Sequence, residues 1–228
     1  MQSMLAGTEY TLVLPNRPFG KPNSARKALF ALPAMRAVGR VRLTLFYFDQ
    51  ETTGDDPQMD RIVTVQLQPL DDDLKGVGPF QILTEWEWGE KQIVQMALEK
   101  GILQPKWDFV PVGNRLRFDL TFLIERATKW KLIDWDLATL KYYWFTKPFL
   151  DLQAVLVLMN KGRFTGSSLH AFADKDSGSR VPALYRKGAH QEIVDYVTRE
   201  HEAVLQLLQE AKKVLGEFGD LRRRPPAP

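Results

Sequence analysis

Cysteine is absent from the 228 residues of this chain, and only 3 histidines are present. The lack of cysteine excludes disulfide frameworks, thiolate zinc sites, iron–sulfur clusters and cysteine nucleophiles. The scarcity of histidine argues against a histidine-rich metal centre. Carboxylates are therefore the natural ligands for any metal ion that this protein binds.

Long apolar segments and a strong excess of one charge are also missing. No stretch approaches the ~18 consecutive apolar residues of a membrane span, and residues 1–15 lack the basic and apolar regions of a signal peptide. We therefore expect a cytoplasmic protein that does not bind a membrane. The 31 basic and 28 acidic residues give a net charge of +3, which is too small to diagnose nucleic-acid binding.

The charges are, however, arranged in blocks. Seven basic residues and no acid lie between positions 17 and 42, namely Arg17, Lys21, Arg26, Lys27, Arg36, Arg40 and Arg42. Eight acids opposed by a single arginine follow, namely Asp49, Glu51, Asp55, Asp56, Asp60, Asp71, Asp72 and Asp73. A basic segment beside an acidic one fits a metal-dependent phosphodiester enzyme, which needs cations for the backbone and carboxylates for the metal. The same pattern also fits a solvated surface of uneven charge.

The hydrophobic pattern predicts strands first and then strands alternating with helices. Strands are expected at 9–14, 38–49, 61–68, 80–86 and 107–113, and helices at 90–100, 117–128 and 189–215. The run at 38–49 becomes continuously apolar, which is typical of a central strand buried on both faces. The apolar run at 149–158 fits either a strand or a helix. This order predicts an α/β protein with a mixed sheet covered by helices.

Two carboxylates lie at the carboxyl end of the central strand. Asp49 and Glu51 lie on the same face, because side chains alternate along a strand. They would repel each other unless a cation lies between them, and oxygen ligands suit Mg²⁺ or Mn²⁺. The alternative is a pair of acids solvated in a turn.

At these residues the chain resembles the DEDD (DnaQ-like) 3′–5′ exonuclease superfamily. The string DQETTG at 49–54, followed by DRIV at 60–63, resembles the first motif of that family. The string VGNRLRFDLTFL at 112–123 resembles the second motif, and the segments at 148–152 and 168–169 resemble its late strand and helix. The resemblance implies a ribonuclease-H-like, mixed five-stranded sheet in residues 40–216. Residues 1–39 would then be a basic N-terminal extension, and residues 217–228 a flexible basic, proline-rich tail.

The third motif of the family has two competing positions on the last helix. Tyr196 and Glu200 have the spacing of the tyrosine-type members but carry Glu where the family has Asp. His190 and Asp195 have the spacing of the histidine type. Glu200 lies about 80° from the centre of the apolar stripe and Asp195 about 140°, so we favour Tyr196 with Glu200. The local sequence at 181–196 also resembles the tyrosine-type exonucleases related to family-B polymerases.

The resemblance further implies a set of roles. Two Mg²⁺ or Mn²⁺ ions would be held by four carboxylates, those of Asp49, Glu51, Asp119 and Glu200. Tyr196 would orient the attacking water, whereas His190 would be a general base in the competing arrangement. Main-chain groups around Thr52, Thr53 and Gly54 are expected to hold the terminal nucleotide, and Asn114 to fix the turn that presents Asp119.

The predicted function is metal-dependent removal of nucleotides from DNA or RNA 3′ ends, with single strands as the expected substrate. The alternative is a catalytically weakened exonuclease-like module that serves as a nucleic-acid-binding or assembly subunit, because Glu200 departs from the family pattern. Residues 1–39 are a candidate docking segment for a protein partner. The sequence leaves the choice between DNA and RNA open.

Overall fold

The computed structural model describes residues 45–105, 109–173 and 178–219, with side chains as far as residue 213. The predicted strand at 9–14, the basic block at 17–42 and the extension at 1–39 lie outside the described residues, as does the end of the predicted tail. Within the described residues, no helix combines the length and the apolar character that a bilayer-spanning segment requires.

The described residues form one mixed sheet of five strands. These strands are β1 (Leu45–Thr52), β2 (Ile62–Leu70), β3 (Gln81–Thr84), β4 (Val110–Gly113) and β5 (Leu150–Asp151). Their order across the sheet is β3-β2-β1-β4-β5. Strands β1, β2 and β3 pair antiparallel, whereas β1 with β4 and β4 with β5 pair parallel. The predicted α/β class and the central position of the first described strand are confirmed.

The three predicted helices lie in the expected places, and further helices of 4 to 10 residues accompany them. They are α1 (Glu85–Trp88), α2 (Glu90–Glu99), α3 (Leu116–Lys129), α4 (Leu137–Thr146), α5 (Leu152–Met159), α6 (Leu169–Phe172), α7 (Val181–Arg186) and α8 (His190–Gly219). The apolar run at 149–158 divides between β5 and α5. It divides there because the carboxylate of Asp151 accepts a hydrogen bond from the Gln153 backbone N–H at 2.9 Å and so caps the helix. The third strand is shorter than predicted, since residues 85–88 are helical.

Helices cover both faces of the sheet. Phe48 of β1 packs in a core with residues of α2, α3 and α4, whereas its neighbour Tyr47 packs with residues of α5, α6 and α8. Both side chains are fully buried, so the alternation along β1 assigns Tyr47, Asp49 and Glu51 to the α8 side of the sheet. The aromatic run at 142–145 is helical, with Tyr143 buried in the core and Phe145 90% exposed.

Helix α8 lies across the sheet through a continuous apolar stripe. The buried members of this stripe are Ile193, Val197, Val204, Leu205 and Leu208. Burying one such side chain stabilises the fold by roughly 1.5–3 kcal/mol, which fixes the rotation of the helix about its axis. The polar residues that flank the stripe are therefore held against the end of the central strand.

Candidate metal centre

Two carboxylates come from the carboxyl end of β1. Asp49 is 7% exposed, and Glu51 is half-buried. Both residues belong to the regular ladder, where Asp49 lies opposite Gln66 and Glu51 opposite Thr64 of β2. The register shifts directly after Glu51, so the strand ends just beyond the second acid. Backbone pairing thus fixes both side chains on the face that α8 covers.

Helix α8 contributes a third carboxylate. Glu200 is 8% exposed, and one oxygen each from Asp49, Glu51 and Glu200 lie within 4.8 Å of one another. The hydroxyl of Tyr196, one turn earlier, donates a short hydrogen bond to Glu200 Oε2. Three carboxylate oxygens at this spacing have the geometry and the chemistry to bind a divalent cation.

Asp119 lies in the first turn of α3 and borders this group without belonging to it. Its side chain is 4% exposed. Burial, followed by the negative charges of Asp49 and Glu200, holds the pKa of Asp119 well above its usual value. Its Oδ2 is buried and has no hydrogen-bond partner among the described residues. A buried acceptor of this kind beside two other carboxylates fits a position next to a bound cation.

Tyr196 is a further polar group beside these acids. Burial, together with the nearby charges of Glu51 and Glu200, holds its pKa far above the usual value. The hydroxyl therefore stays protonated and acts as a hydrogen-bond donor. A Cβ on Gly178 would lie 3.1 Å from this hydroxyl and 3.7 Å from Glu51 Oε2, so the backbone at Gly178 forms a close wall of the site. Sequence reasoning missed Gly178, because one glycine in a turn-rich segment carries no distinct signal.

The competing pair on α8 lies elsewhere. Asp195 is exposed and accepts a hydrogen bond from Gln191 Nε2 at 2.8 Å. The ring of His190 stacks on Trp86, with 4.3 Å between ring centroids and an interplanar angle of 6°. The structure therefore brings Glu200 to β1 and leaves Asp195 on the outer face of the helix.

The turn after β1 is closed by its own side chains. Thr52 Oγ1 donates to Gly54 O at 2.6 Å, and Thr53 Oγ1 donates to Asp60 Oδ1 at 3.0 Å. A Cβ on Gly54 would lie 2.4 Å from Asp60 Oδ2, so a side chain at position 54 would displace this carboxylate from its hydrogen bonds to Thr53 Oγ1 and the Asp56 backbone N–H. These contacts fix the backbone of 52–54 beside the acids, and contact of the turn with a nucleotide stays a prediction.

The turn before α3 is held by a residue that the sequence analysis did not select. Asp151 Oδ1 accepts the Arg115 backbone N–H at 2.9 Å, and Arg115 has a φ of 58° at the N-cap of α3. This left-handed conformation is uncommon outside glycine, so Asp151 has a clear role in holding it. The Oδ1 of Asn114 is buried in the same turn and has no hydrogen-bond partner among the described residues. A single acid inside the apolar run at 149–158 was the signal that could have identified Asp151.

The strand order, the strand directions and the acids at the end of the central strand define a ribonuclease-H-like fold. Solved structures of exonuclease I share it. Exonuclease I from E. coli in complex with a dT13 oligonucleotide has a TM-score of 0.53 and 14% identity, covering 79% of this chain and 43% of that chain. The zinc-bound form of the E. coli exonuclease I complex with single-stranded DNA has a TM-score of 0.53 and 13% identity, covering 79% and 42%.

A complex of exonuclease I with SSB-Ct is also similar, with a TM-score of 0.51 and 13% identity over 79% of this chain and 43% of that chain. The chain thus spans less than half of the length of these exonuclease I chains. No family model matches the sequence, and no curated protein matches it. At these identities, the likeness shows a common fold.

Proposed function

We propose that this protein is a divalent-metal-dependent 3′–5′ exonuclease acting on DNA or RNA ends. One observation carries the proposal: carboxylates of Asp49, Glu51 and Glu200, from two different elements, converge within 4.8 Å of one another at the end of the central strand. The fold in which they converge is shared with exonuclease I. The alternative, in which these acids are surface residues solvated in a turn, does not account for the burial of Asp49 and Glu200.

The donor set favours Mg²⁺ or Mn²⁺, because the candidate ligands are carboxylates and the chain has no cysteine. Asp49, Glu51 and Glu200 would hold the metal, and Asp119 would join them when a second ion is present. Bound there, such ions lower the pKa of a water molecule and stabilise the charge that develops on the phosphate and the leaving oxygen.

The remaining residues would orient the reactants. Tyr196 donates its hydroxyl proton to Glu200, and its oxygen would accept a hydrogen bond from the attacking water and so orient it, which supports the tyrosine-type arrangement. The rigid backbone of 52–54 would bind the terminal nucleotide. Asn114 lies in the turn that presents Asp119, and Asp151 would hold that turn through the Arg115 backbone N–H.

The test is degradation of 5′-labelled single-stranded DNA and RNA with Mg²⁺ or Mn²⁺. We expect a ladder of products shortened by single nucleotides from the 3′ end, which disappears in EDTA and in Asp49→Ala. Asp195→Ala is the matched control, because this acid is exposed on the same helix that carries Glu200, and it should cleave as the wild type does. No degradation of either polymer with either metal would contradict the proposal.

A second candidate function follows from the identity of the acid on α8. Glu200 is one methylene longer than the Asp of the resembling family, which fits a weakened module that binds nucleic acid without rapid turnover. Glu200→Asp separates the two functions. An increase in cleavage rate would favour the weakened module, whereas a decrease would favour an active site adapted to Glu.

A further inference from the structure

The loop at residues 160–167, which follows α5, has a conformation fixed by its own hydrogen bonds. Asn160 Nδ2 donates to the carbonyl oxygens of Arg163 and Thr165, both at 2.9 Å. Ser167 is 1% exposed, and its Oγ donates to Arg163 O at 2.5 Å. The side chains that point outwards from the 160–167 loop are therefore presented from a well-defined backbone.

These outward side chains are basic and aromatic. Phe164 is 76% exposed, and the adjacent cations Lys161 and Arg163 are exposed as well. Residues 152–173 contain no acid, so no carboxylate of this segment competes for the two cations. An exposed ring next to two exposed cations matches single-stranded nucleic acid, which offers unstacked bases and a line of phosphates.

Short contacts connect the 160–167 loop to the acids. Gln153 Nε2 donates to Ser167 O at 3.0 Å, and the Gln153 backbone N–H donates to Asp151 Oδ1 at 2.9 Å. The same Asp151 oxygen holds the backbone N–H of Arg115 at the start of α3. Asp119 lies in the first turn of that helix. The loop is thus anchored at the carboxyl end of β5, which lies on the same side of the sheet as the carboxyl end of β1 because β1, β4 and β5 run parallel.

We propose that the 160–167 loop binds single-stranded nucleic acid that leads to the acid site. A base stacks on Phe164, and phosphates lie against Lys161 and Arg163. This inference rests on the proposed function for its ligand class. Duplex is excluded as the main ligand of the ring, because paired bases are stacked on each other and do not expose their faces.

The test is the binding of 5′-fluorescein-labelled 15-nucleotide DNA and RNA strands, measured by fluorescence anisotropy in EDTA so that no cleavage occurs. Phe164→Ala should weaken binding by about tenfold, and Phe164→Tyr should restore it. The double variant Lys161→Ala/Arg163→Ala should flatten the slope of log affinity against log salt by about 1.4, the value for two phosphate contacts on a single strand.

Phe145→Ala is the matched control, since Phe145 is 90% exposed on α4 and is not part of the 160–167 loop. This variant should bind both strands as the wild type does. The proposal is overturned if Phe164→Ala binds as the wild type, if Phe145→Ala loses as much affinity, or if the wild type binds neither strand. The proposal is also overturned if the wild type binds a labelled polyglutamate peptide but binds neither the DNA strand nor the RNA strand.

The same experiment keeps this inference separate from the exonuclease proposal. A wild-type protein that binds the 15-nucleotide strand through Phe164 in EDTA but does not cleave it with Mg²⁺ or Mn²⁺ contradicts only the proposed activity. Cleavage by the wild type, with Phe164→Ala binding as tightly as the wild type, contradicts only the role of the loop.

Discussion

Two buried carboxylate environments in this protein differ in how their oxygens are satisfied. Glu90 of α2 is 6% exposed, and its oxygens accept four hydrogen bonds. The donors are Arg126 Nε at 2.6 Å, Arg126 Nη2, Trp130 Nε1 at 3.0 Å and the Ile62 backbone N–H at 2.8 Å. Asp119 is equally buried, yet its Oδ2 has no hydrogen-bond partner among the described residues, and burial followed by neighbouring carboxylates raises its pKa.

The difference separates a structural acid from candidate functional acids. A buried charge persists in a stable fold when a cation and hydrogen-bond donors compensate it, and Glu90 meets that condition within the protein. Arg126 Nη1 also donates to Pro57 O at 3.0 Å, so the pair ties α2 and α3 to the turn after β1. In contrast, the acid site gathers like charges, which is costly without a ligand and typical of a functional site.

The largest expected effect is on activity at the acid site. Asp49→Asn should lower the rate of 3′-end cleavage by roughly three orders of magnitude, because several kcal/mol of metal-dependent stabilisation are lost. Circular dichroism should show a folded protein, since the change removes a negative charge from a cluster of acids. A cleavage rate within a factor of a few of the wild type would show that Asp49 is not part of a catalytic site.

The largest expected effect on stability comes from the other environment. Glu90→Gln should lower the free energy of unfolding by about 3–5 kcal/mol, because it leaves the buried guanidinium of Arg126 without its counter-charge. Glu99→Gln is the control on the same helix, where an exposed acid should matter by less than about 0.5 kcal/mol. Urea unfolding of both variants measures this. Equal free energies of unfolding for the two variants would show that Glu90 does not stabilise the fold as a paired, buried acid.

A smaller effect of opposite sign is expected for Asp119→Asn in metal-free protein. Because the pKa of Asp119 is raised in the folded state, the folded protein binds this proton more tightly than the unfolded chain does. Stability is therefore lost as the pH rises above the usual value of 3.8 and through the raised value. Asp119→Asn should raise the Tm at neutral pH by a few degrees and have little effect below pH 3.8. The measurement is thermal unfolding of Asp119→Asn and the wild type in EDTA across this pH range. A lower Tm of the variant than of the wild type at neutral pH would contradict the account.

The smallest effect is expected for Asp195→Asn. The side chain is exposed and accepts one hydrogen bond from Gln191, so cleavage should change by less than about twofold and stability by less than about 0.5 kcal/mol. Loss of cleavage in this variant, with cleavage retained in Glu200→Gln, would assign the fourth acid to the histidine-type arrangement. Steady-state rates of the two variants decide between these arrangements.

Local patterns predicted much of the fold. The continuous apolar run ending in Asp49 indicated a central strand, and the apolar stripe on the last helix indicated which face of α8 is buried. Periodicity could not resolve 149–158, because the division of that run depends on the cap formed by Asp151. Helix geometry gave the correct expectation that Glu200 lies nearer the sheet than Asp195.

Other features of the site depend on contacts between distant segments. Gly178 lies beside Tyr196 and Glu51 only because the chain returns to β1 after α6. Likewise, the sequence places Glu90 at the start of a predicted helix and indicates no partner for it. In the structure Glu90 pairs with Arg126, which is 36 residues away in the chain. Such roles are invisible to single-sequence patterns, which report spacing along the chain and not proximity in space.

The central claim is that the acids at the end of β1 and on α8 hold a divalent metal. Titration of Mn²⁺ into the metal-free protein, followed by electron paramagnetic resonance of the free ion, tests it most directly. We predict that the wild type and Asp195→Asn bind Mn²⁺ alike and that Asp49→Asn loses this binding. Equal Mn²⁺ binding by Asp49→Asn and the wild type, or no binding by the wild type, would contradict the account.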